Sequence, residues 1–358
     1  MAYLLPIGPF HPSLDEPVAY KLEVVGTKID SVEIEFGFNH RGVEAGLPGL
    51  LAQQILAQIS RLCGKCSYAN TLVVAMALEK LAGVVPPVRA SYLRVVTAEL
   101  ERAASHLGST ARVLRLLGLN VGAARLEGET EGLRQLLAAT GNRIYDTFTL
   151  PGGAMRAPYL TPDFQNAVEL LRKNIYESVN SLLDNRQLQR RTLKVGLIGG
   201  QEAAMYSLVG PIARASDTQE DWRTFEPYAA YADLDFRVIT QRRGDLFSRL
   251  AVRLLESLES LNIVSQVLLH LPEGTLNDSL MPPMYEPCSE ATAIIESPRG
   301  QLLCYVAADE NGQLGRLKLN PPTLTNLAAL PLALTGQEAD DAPALLASLD
   351  YCFSCAER

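Results

Sequence analysis

Two cysteine pairs at opposite ends of the chain constrain the fold more than any other feature. Cys63-Gly64-Lys65-Cys66 lies near the N-terminus, and Cys352-Phe353-Ser354-Cys355 lies three residues before the last residue of the 358. Two intervening residues let both sulfurs of a pair turn toward one metal. Two pairs so far apart share a site only if the fold carries the final residues back into the core. Terminal residues are ordinarily loose, so this placement predicts a C-terminus held by the chemistry of the site. Spacing alone is equally compatible with a structural four-cysteine zinc or iron site, or with two unrelated pairs.

The remaining composition narrows the class. Net charge is -8 and the pI is near 5.2, with no basic run, which argues against a nucleic-acid surface. No apolar stretch reaches membrane-spanning length, and Met1-Ala2-Tyr3-Leu4-Leu5-Pro6 lacks the pattern of a signal peptide. Six cysteines are too few for a disulfide scaffold and read as reduced thiols or metal ligands. Cys288 and Cys304 have no CxxC partner, and buried packing is expected for both.

Hydrophobic periodicity predicts one mainly helical α+β domain spanning 1–358. It has a helical-bundle core, a small N-terminal hairpin and a small C-terminal antiparallel sheet. The hairpin is expected over residues 19 to 38, around Gly26-Thr27-Lys28. Helices are expected over Leu47 to Ser60, 67 to 83, Val88 to Leu117, Ala123 to Tyr145, Thr161 to Arg191, Gly244 to Leu271 and Asp341 to Leu349. Residues 291 to 320 read as the sheet, turning at Asp309-Glu310-Asn311-Gly312. Gly196 to Asp245 reads as a functional loop region.

Four thiolates make a soft anionic cage suited to nickel, zinc or copper rather than magnesium or calcium. The flanking residues are more specific. Arg61-Leu62-Cys63-Gly64-Lys65-Cys66 and Asp350-Tyr351-Cys352-Phe353-Ser354-Cys355-Ala356-Glu357-Arg358 resemble the RxCGxC and DPCxxCxx(H/R) motifs of the large subunit of nickel-iron hydrogenases. Ile295-Glu296-Ser297-Pro298-Arg299-Gly300 is similar to that family's EAPRG segment. Gly8-Pro9-Phe10-His11-Pro12-Ser13-Leu14-Asp15-Glu16-Pro17 resembles the N-terminal loop of its energy-converting, membrane-associated branch. The same loop resembles the quinone-site loop of the related subunit of respiratory NADH:quinone oxidoreductase. His40-Arg41-Gly42-Val43-Glu44, Glu99-Leu100-Glu101-Arg102, Ser105-His106 and Gly210-Pro211-Ile212-Ala213-Arg214-Ala215-Ser216 extend the likeness over essentially the whole chain.

The resemblance implies a Ni-Fe(CN)2(CO) centre. Cys63 and Cys352 would be terminal nickel ligands, and Cys66 and Cys355 would bridge nickel to iron. Arg299 would be held over the open metal position with Asp350 beside it, and its neighbours, Pro298 among them, would contact the iron's cyanides. Glu16 would take protons from a nickel cysteine; Asp15, the adjacent carboxylate, is the residue most easily confused with it. Glu44 would bind a structural magnesium or sit in a buried salt bridge, and His106 reads as a core histidine.

The implied activity is reversible reduction of protons to hydrogen with ferredoxin electrons, linked to ion translocation. It requires an iron-sulfur small subunit, ferredoxin-like electron-transfer subunits and membrane ion-translocating subunits. Iron-sulfur clusters would belong to those partners alone. The implied location is the cytoplasmic face of the membrane, peripheral and without a span. In that family the precursor is clipped after the last residue of the second motif, the position of Arg358 here. Asn70 stands where a His is usual, Tyr351 replaces the Pro of DPCxxC, and Asp217 replaces a Gly. The alternatives are a quinone- or sulfur-reducing relative, and a non-catalytic subunit with a four-cysteine zinc site.

Overall fold

A computed structural model describes residues 1–141, 148–154, 160–277 and 284–358. Three strands open the chain: β1 (Ala2–Ile7), β2 (Ala19–Val25) and β3 (Lys28–Glu35), antiparallel in the order β1-β2-β3. Alternation is clear in β2, where Tyr20, Leu22 and Val24 are buried and Lys21, Glu23 and Val25 are exposed. The expected hairpin is therefore present, but as part of a three-stranded sheet. β1 gives no strand signal because Ala-Tyr-Leu-Leu-Pro-Ile does not alternate. Its proline is tolerated because β1 is an edge strand.

Helices then dominate. α1 is Ala52–Ile59, α2 Ser67–Ala82, α3 Val88–Leu116 and α4 Asn120–Ala139. α1 is shorter than expected because Gly49 takes a left-handed conformation (φ +77°) ahead of it. α2 stops at Gly83, also left-handed. α3 begins after Pro87 and buries Leu93, Val96, Leu100, Ala103, Leu107, Ala111 and Leu114 along one face. α4 ends before the expected Tyr145, and 142–145 of that expectation lie outside the described residues.

Two short strands, β4 (Thr149–Leu150) and β5 (Gly153–Ala154), precede α5 (Pro162–Leu183) and α6 (Arg186–Thr192). The single helix expected over Thr161 to Arg191 is broken because Asn185 caps a new start, accepting from Leu188 N–H at 2.9 Å. The region expected to be irregular holds α7 (Gly200–Met205), α8 (Gly210–Arg214) and α9 (Trp222–Phe225), none longer than two turns. Asp245 caps the long α10 (Leu246–His270), accepting from Ser248 N–H at 2.8 Å.

The second sheet is β6 (Glu290–Ser297), β7 (Gly300–Ala308) and β8 (Leu314–Asn320), antiparallel in that order. Asp309 closes the expected turn, its Oδ1 accepting from Asn311 and Gln313 N–H. The chain closes with α11 (Pro322–Asn326), α12 (Ala329–Leu334), α13 (Ala342–Leu349) and α14 (Phe353–Ala356).

α3 is the axis of the molecule, packing against α4, α10 and α13, while α2 lies across β6 and β7. The buried apolar residues form one continuous cluster that includes all four motif cysteines. Cys304 is buried in β7 as expected. Cys288 is not: it is exposed, in a left-handed turn at φ +59°, where a loop reverses into β6.

Candidate metal centre

Cys63 and Cys66 sit on the turn between α1 and α2, and Cys352 and Cys355 on the turn and short helix after α13. Sγ–Sγ separations are 3.3 Å for Cys63–Cys352, Cys63–Cys66 and Cys66–Cys355. All four sulfurs lie within 4.8 Å of one another, and all four residues are buried. Four thiols so arranged fit a thiolate-ligated metal group, since a tetrahedral ion about 2.3 Å from each sulfur needs sulfurs within about 4 Å of one another. Among the described residues this is the single group of metal-ligand type.

The final residues are held by many contacts. Asp350 adopts a left-handed conformation (φ +53°) that ends α13 and turns the chain inward. Cys352 N–H donates to Thr323 Oγ1 at 3.0 Å, and Tyr351 Oη donates to Asn326 O at 2.7 Å. Tyr351, the large departure beside a ligand, is therefore a buried anchor. Arg41 bridges the two motifs, donating to Leu62 O and Ser354 O. Arg358 pairs with Glu44, and Glu357 accepts from Asn39 N–H.

Arg299 and Asp350 come together as expected. Arg299 Nε donates to Asp350 O at 2.8 Å, and its Nη2 to Asp350 Oδ1 at 3.0 Å. Arg299, Cys66, Asn70, Cys352 and Cys355 border one small void, and the Arg299 charge interacts with Cys352, Cys66 and Cys63. Pro298 lines a neighbouring void with Arg253 and Asp350. Asn70, in place of the usual His, donates Nδ2–H to Cys66 O at 2.8 Å and lies 3.4 Å from Cys355 Sγ. An amide thus supplies the sulfur with a neutral donor.

The Pro298-Arg299-Gly300 turn is seated against Gly210. A Cβ on Gly210, which sits at φ +68°, would lie 2.2 Å from Arg299 O. Gly210→Ala is therefore expected to push the Arg299 turn away and lower turnover at least about tenfold, by analogy with other losses of outer-shell support. Kinetics on an assembled variant with unchanged metal content check this, and wild-type turnover would refute it.

Glu16 reaches the cage at Cys352. Its Oε1 is 3.8 Å from Cys352 Sγ and accepts from Ser354 N–H, while Oε2 accepts from Phe353 N–H at 2.5 Å. Burial, then the adjacent Cys352, raise its carboxyl above the usual range, against Lys65 and the Ser354 and Phe353 hydrogen bonds. Asp15, its sequence neighbour, points elsewhere and pairs with Lys65 at 2.6 Å and Arg112 at 2.7 Å. His11 bonds only its own loop, at Ser13.

Glu44 shows the salt-bridge arrangement. Oε1 accepts from Arg358 Nε and Leu319 N–H, and Oε2 accepts from Lys318 Nζ at 2.6 Å. Burial opposes ionisation, but these donors hold its carboxyl below the ordinary range. His106 is fully buried and pairs through Nε2 with Glu256 at 2.8 Å, remote from the cysteine group in bonding.

A buried ion network supports the end of β6, which leads into the Arg299 turn. Arg102 donates to Ser297 O at 2.9 Å and Glu296 O at 2.6 Å while its Nε contacts Glu99 at 3.2 Å. Arg214 binds Glu256 and Glu296 at 2.6 and 2.7 Å, and Arg223 binds Asp221 and Glu99 at 2.6 and 3.2 Å. Thr323 and Asn326 support the cysteine turns without any motif to mark them, whereas Glu101, which holds the turn after Cys66, stands in the Glu99-Leu100-Glu101-Arg102 segment but is given no role by sequence.

The family model described as "Respiratory-chain NADH dehydrogenase, 49 Kd subunit" matches residues 129–285 and 278–358. The chain is 33% identical to the carbon monoxide-induced hydrogenase of Rhodospirillum rubrum, over 99% of each chain. It is 32% identical to a subunit of the NADH-quinone oxidoreductase of Rhizobium etli, covering 97% of this chain and 93% of that one. Among solved structures it resembles a chain of the membrane-bound sulfane sulfur reductase, an archaeal respiratory membrane complex. The TM-score there is 0.92 at 26% identity, over 100% of this chain and 98% of that one. No helix among the described residues is long and apolar enough to cross a membrane. Matched in sequence end to end and in fold throughout, the chain belongs to the oxidoreductase family of the respiratory-chain NADH dehydrogenase 49 kDa subunit and its hydrogenase relatives.

Proposed function

We propose that this chain is the catalytic subunit of a nickel-iron hydrogenase within a membrane-associated, energy-converting complex. It would interconvert protons and hydrogen with electrons from a ferredoxin-type donor, and partner subunits would couple the reaction to ion translocation. The observation that carries this reading is the complete, buried four-sulfur cage with both Arg299 and Glu16 beside it. A nickel-iron group held by Cys63, Cys66, Cys352 and Cys355 would supply the redox change that exchanges hydrogen for protons and electrons.

This chain's own residues do the rest. Arg299 keeps a permanent positive charge beside the sulfurs, since Asp350 fixes its planar fork without being able to deprotonate it. Glu16, with a raised pKa and an oxygen near Cys352 Sγ, is placed to accept a proton there and pass it on. The surrounding apolar core excludes bulk water from the sulfurs. Electrons must enter through a partner, because no further cysteine motif is available in this chain to hold an iron-sulfur cluster.

A second reading has its own support. The sulfane sulfur reductase likeness and the NADH-quinone oxidoreductase relatives favour a quinone- or sulfur-reducing subunit on the same scaffold. Infrared spectroscopy of the anaerobically purified complex separates the two. Two cyanide bands and one carbonyl band are expected; a fully assembled sample without them would refute the hydrogenase reading and favour the second.

A further inference from the structure

A cavity of about 790 Å³ is distinct from the one Glu16 faces. It runs between α3 and α4 and reaches Arg299 and Asp350 at the metal centre. Glu101, Ser105, Gly108 and Arg112 of α3 line it at spacings of three to four residues, with Ser109 beside them, so one helix face paves its length. Burial falls steadily along that face: Glu101 is buried, Ser105 to Arg112 are half-buried, and Arg115 is exposed. Such a stripe is unusual on a helix whose other faces are packed in the core. A passage open from the surface toward the site accounts for it.

Glu101 stands at the buried end. Its two oxygens accept from Tyr68 N–H at 2.7 Å and Ala69 N–H at 2.9 Å, the opening turn of α2 directly after Cys66. Arg299 Nη1 reaches Ser105 Oγ, one turn further along the stripe, at 3.4 Å.

We propose that this cavity delivers protons to the metal centre and that Glu101 is its relay carboxylate, a second route separate from Glu16. The inference rests on the site being a reductive one, and it holds whether protons, a quinone or sulfane sulfur is reduced, since each consumes protons. Glu101 takes a proton from cavity water, becomes a carboxylic acid, and releases that proton inward through water or the Ser105 hydroxyl. The carboxylate is then regenerated, and no electron passes through it.

The electrostatics agree with that role. Burial pushes Glu101 up to about 7, against its two backbone donors and the charges of Arg299 and Arg102. A carboxyl poised there exchanges protons near neutral pH. Asp350 shares the cavity from the C-terminal turn, Lys65 and Asp15 from the N-terminal loops, Arg112 and Arg115 from α3, and Glu127, Glu131 and Arg134 from α4.

The test uses the intact complex with reduced viologen as electron donor and protons, a short-chain quinone and polysulfide in turn as acceptors. With whichever acceptor the wild type reduces, the pH–rate profile is expected to bend near pH 7. Glu101→Gln should lose that bend and roughly 100-fold in rate at unchanged metal content, and Glu101→Asp should restore part of it. An infrared pH titration should show a protonated carboxyl band that Glu101→Gln removes.

Should Glu101→Gln fail to assemble, Gly108→Leu is the second variant. A Cβ at Gly108 meets only Thr130 Cγ2, at 3.7 Å, so the added side chain can fill the passage and is expected to slow turnover about tenfold. Wild-type rates and profile in Glu101→Gln, or in Gly108→Leu where that variant stands in, would overturn the proposal. A wild type that reduces quinone or polysulfide but not protons defeats the hydrogenase reading alone, and the Glu101 comparison then runs on that acceptor.

Discussion

Cys352→Ser is expected to abolish metal loading and turnover, by at least about a hundredfold, since even outer-shell changes cost 10- to 100-fold. Cys352 Sγ lies 3.3 Å from Cys63 Sγ and 3.8 Å from Glu16 Oε1, so the change removes a soft donor and the sulfur nearest the carboxylate together. A serine oxygen is a hard donor on a shorter bond and does not reproduce a four-thiolate cage. Fold should survive, because Cys352 N–H still donates to Thr323 and Tyr351 still anchors the turn. Elemental analysis and turnover of the purified complex provide the check. Cys304→Ser is the control: that thiol is buried in β7 outside the cysteine group, and its loss should leave metal content unchanged. Full activity in Cys352→Ser would end the assignment of this cage as the catalytic centre.

Glu99→Ala is expected to destabilise the chain by about 3–5 kcal/mol, the range for removing one partner from a buried ion pair. Glu99 is fully buried and holds Arg102, Arg223, Tyr231 Oη and Ser260 Oγ. Without it, two buried guanidiniums lose their shared counter-charge. Because Arg102 also holds the carbonyls of Glu296 and Ser297, the Arg299 turn should loosen with it. Denaturant unfolding measures the loss, and a change below about 1 kcal/mol, the scale of an exposed pair, would contradict it.

The same network sets the acid limit. Burial would raise the Asp221 carboxyl, but Arg223 and Arg214 outweigh it and bring it from 3.8 to about 2. A lowered carboxylate stabilises the fold above its unfolded value and loses that contribution as pH falls through its folded value. For Asp221 this is about 2 kcal/mol, present above roughly pH 4 and gone near pH 2. Glu99 and Glu256 are lowered as well, by their arginine neighbours against burial, so their losses fall in the same direction.

Much of the architecture is legible in the residues. The long helices α3 and α10 show in the periodicity, because both bury one apolar face over more than six turns. β7 alternates cleanly up to the polar Asp309-Glu310-Asn311-Gly312 turn. Edge strand β1 does not alternate and gives no such signal, and the helix expected over Thr161 to Arg191 hides a cap at Asn185 within polar sequence. Cys288 is expected inside because buried cysteines are common; a left-handed turn before β6 puts it outside.

At the site, the cysteine spacing by itself determined that two pairs were present, and their flanking motifs indicated one shared centre with Arg299, Asp350 and Glu16. Residue type and local spacing are written along the chain, so a CxxC pair or a turn is read without knowing the fold. Which groups meet depends on contacts between positions up to 338 residues apart, as in Glu16 with Ser354. Only the tertiary structure decided that Glu44 is spent on Arg358 and Lys318, that Asp15 faces away while Glu16 faces Cys352, and that Glu101 ends a cavity at the metal centre. Burial, pairing and access come from how helices and sheets pack, and no local pattern encodes them.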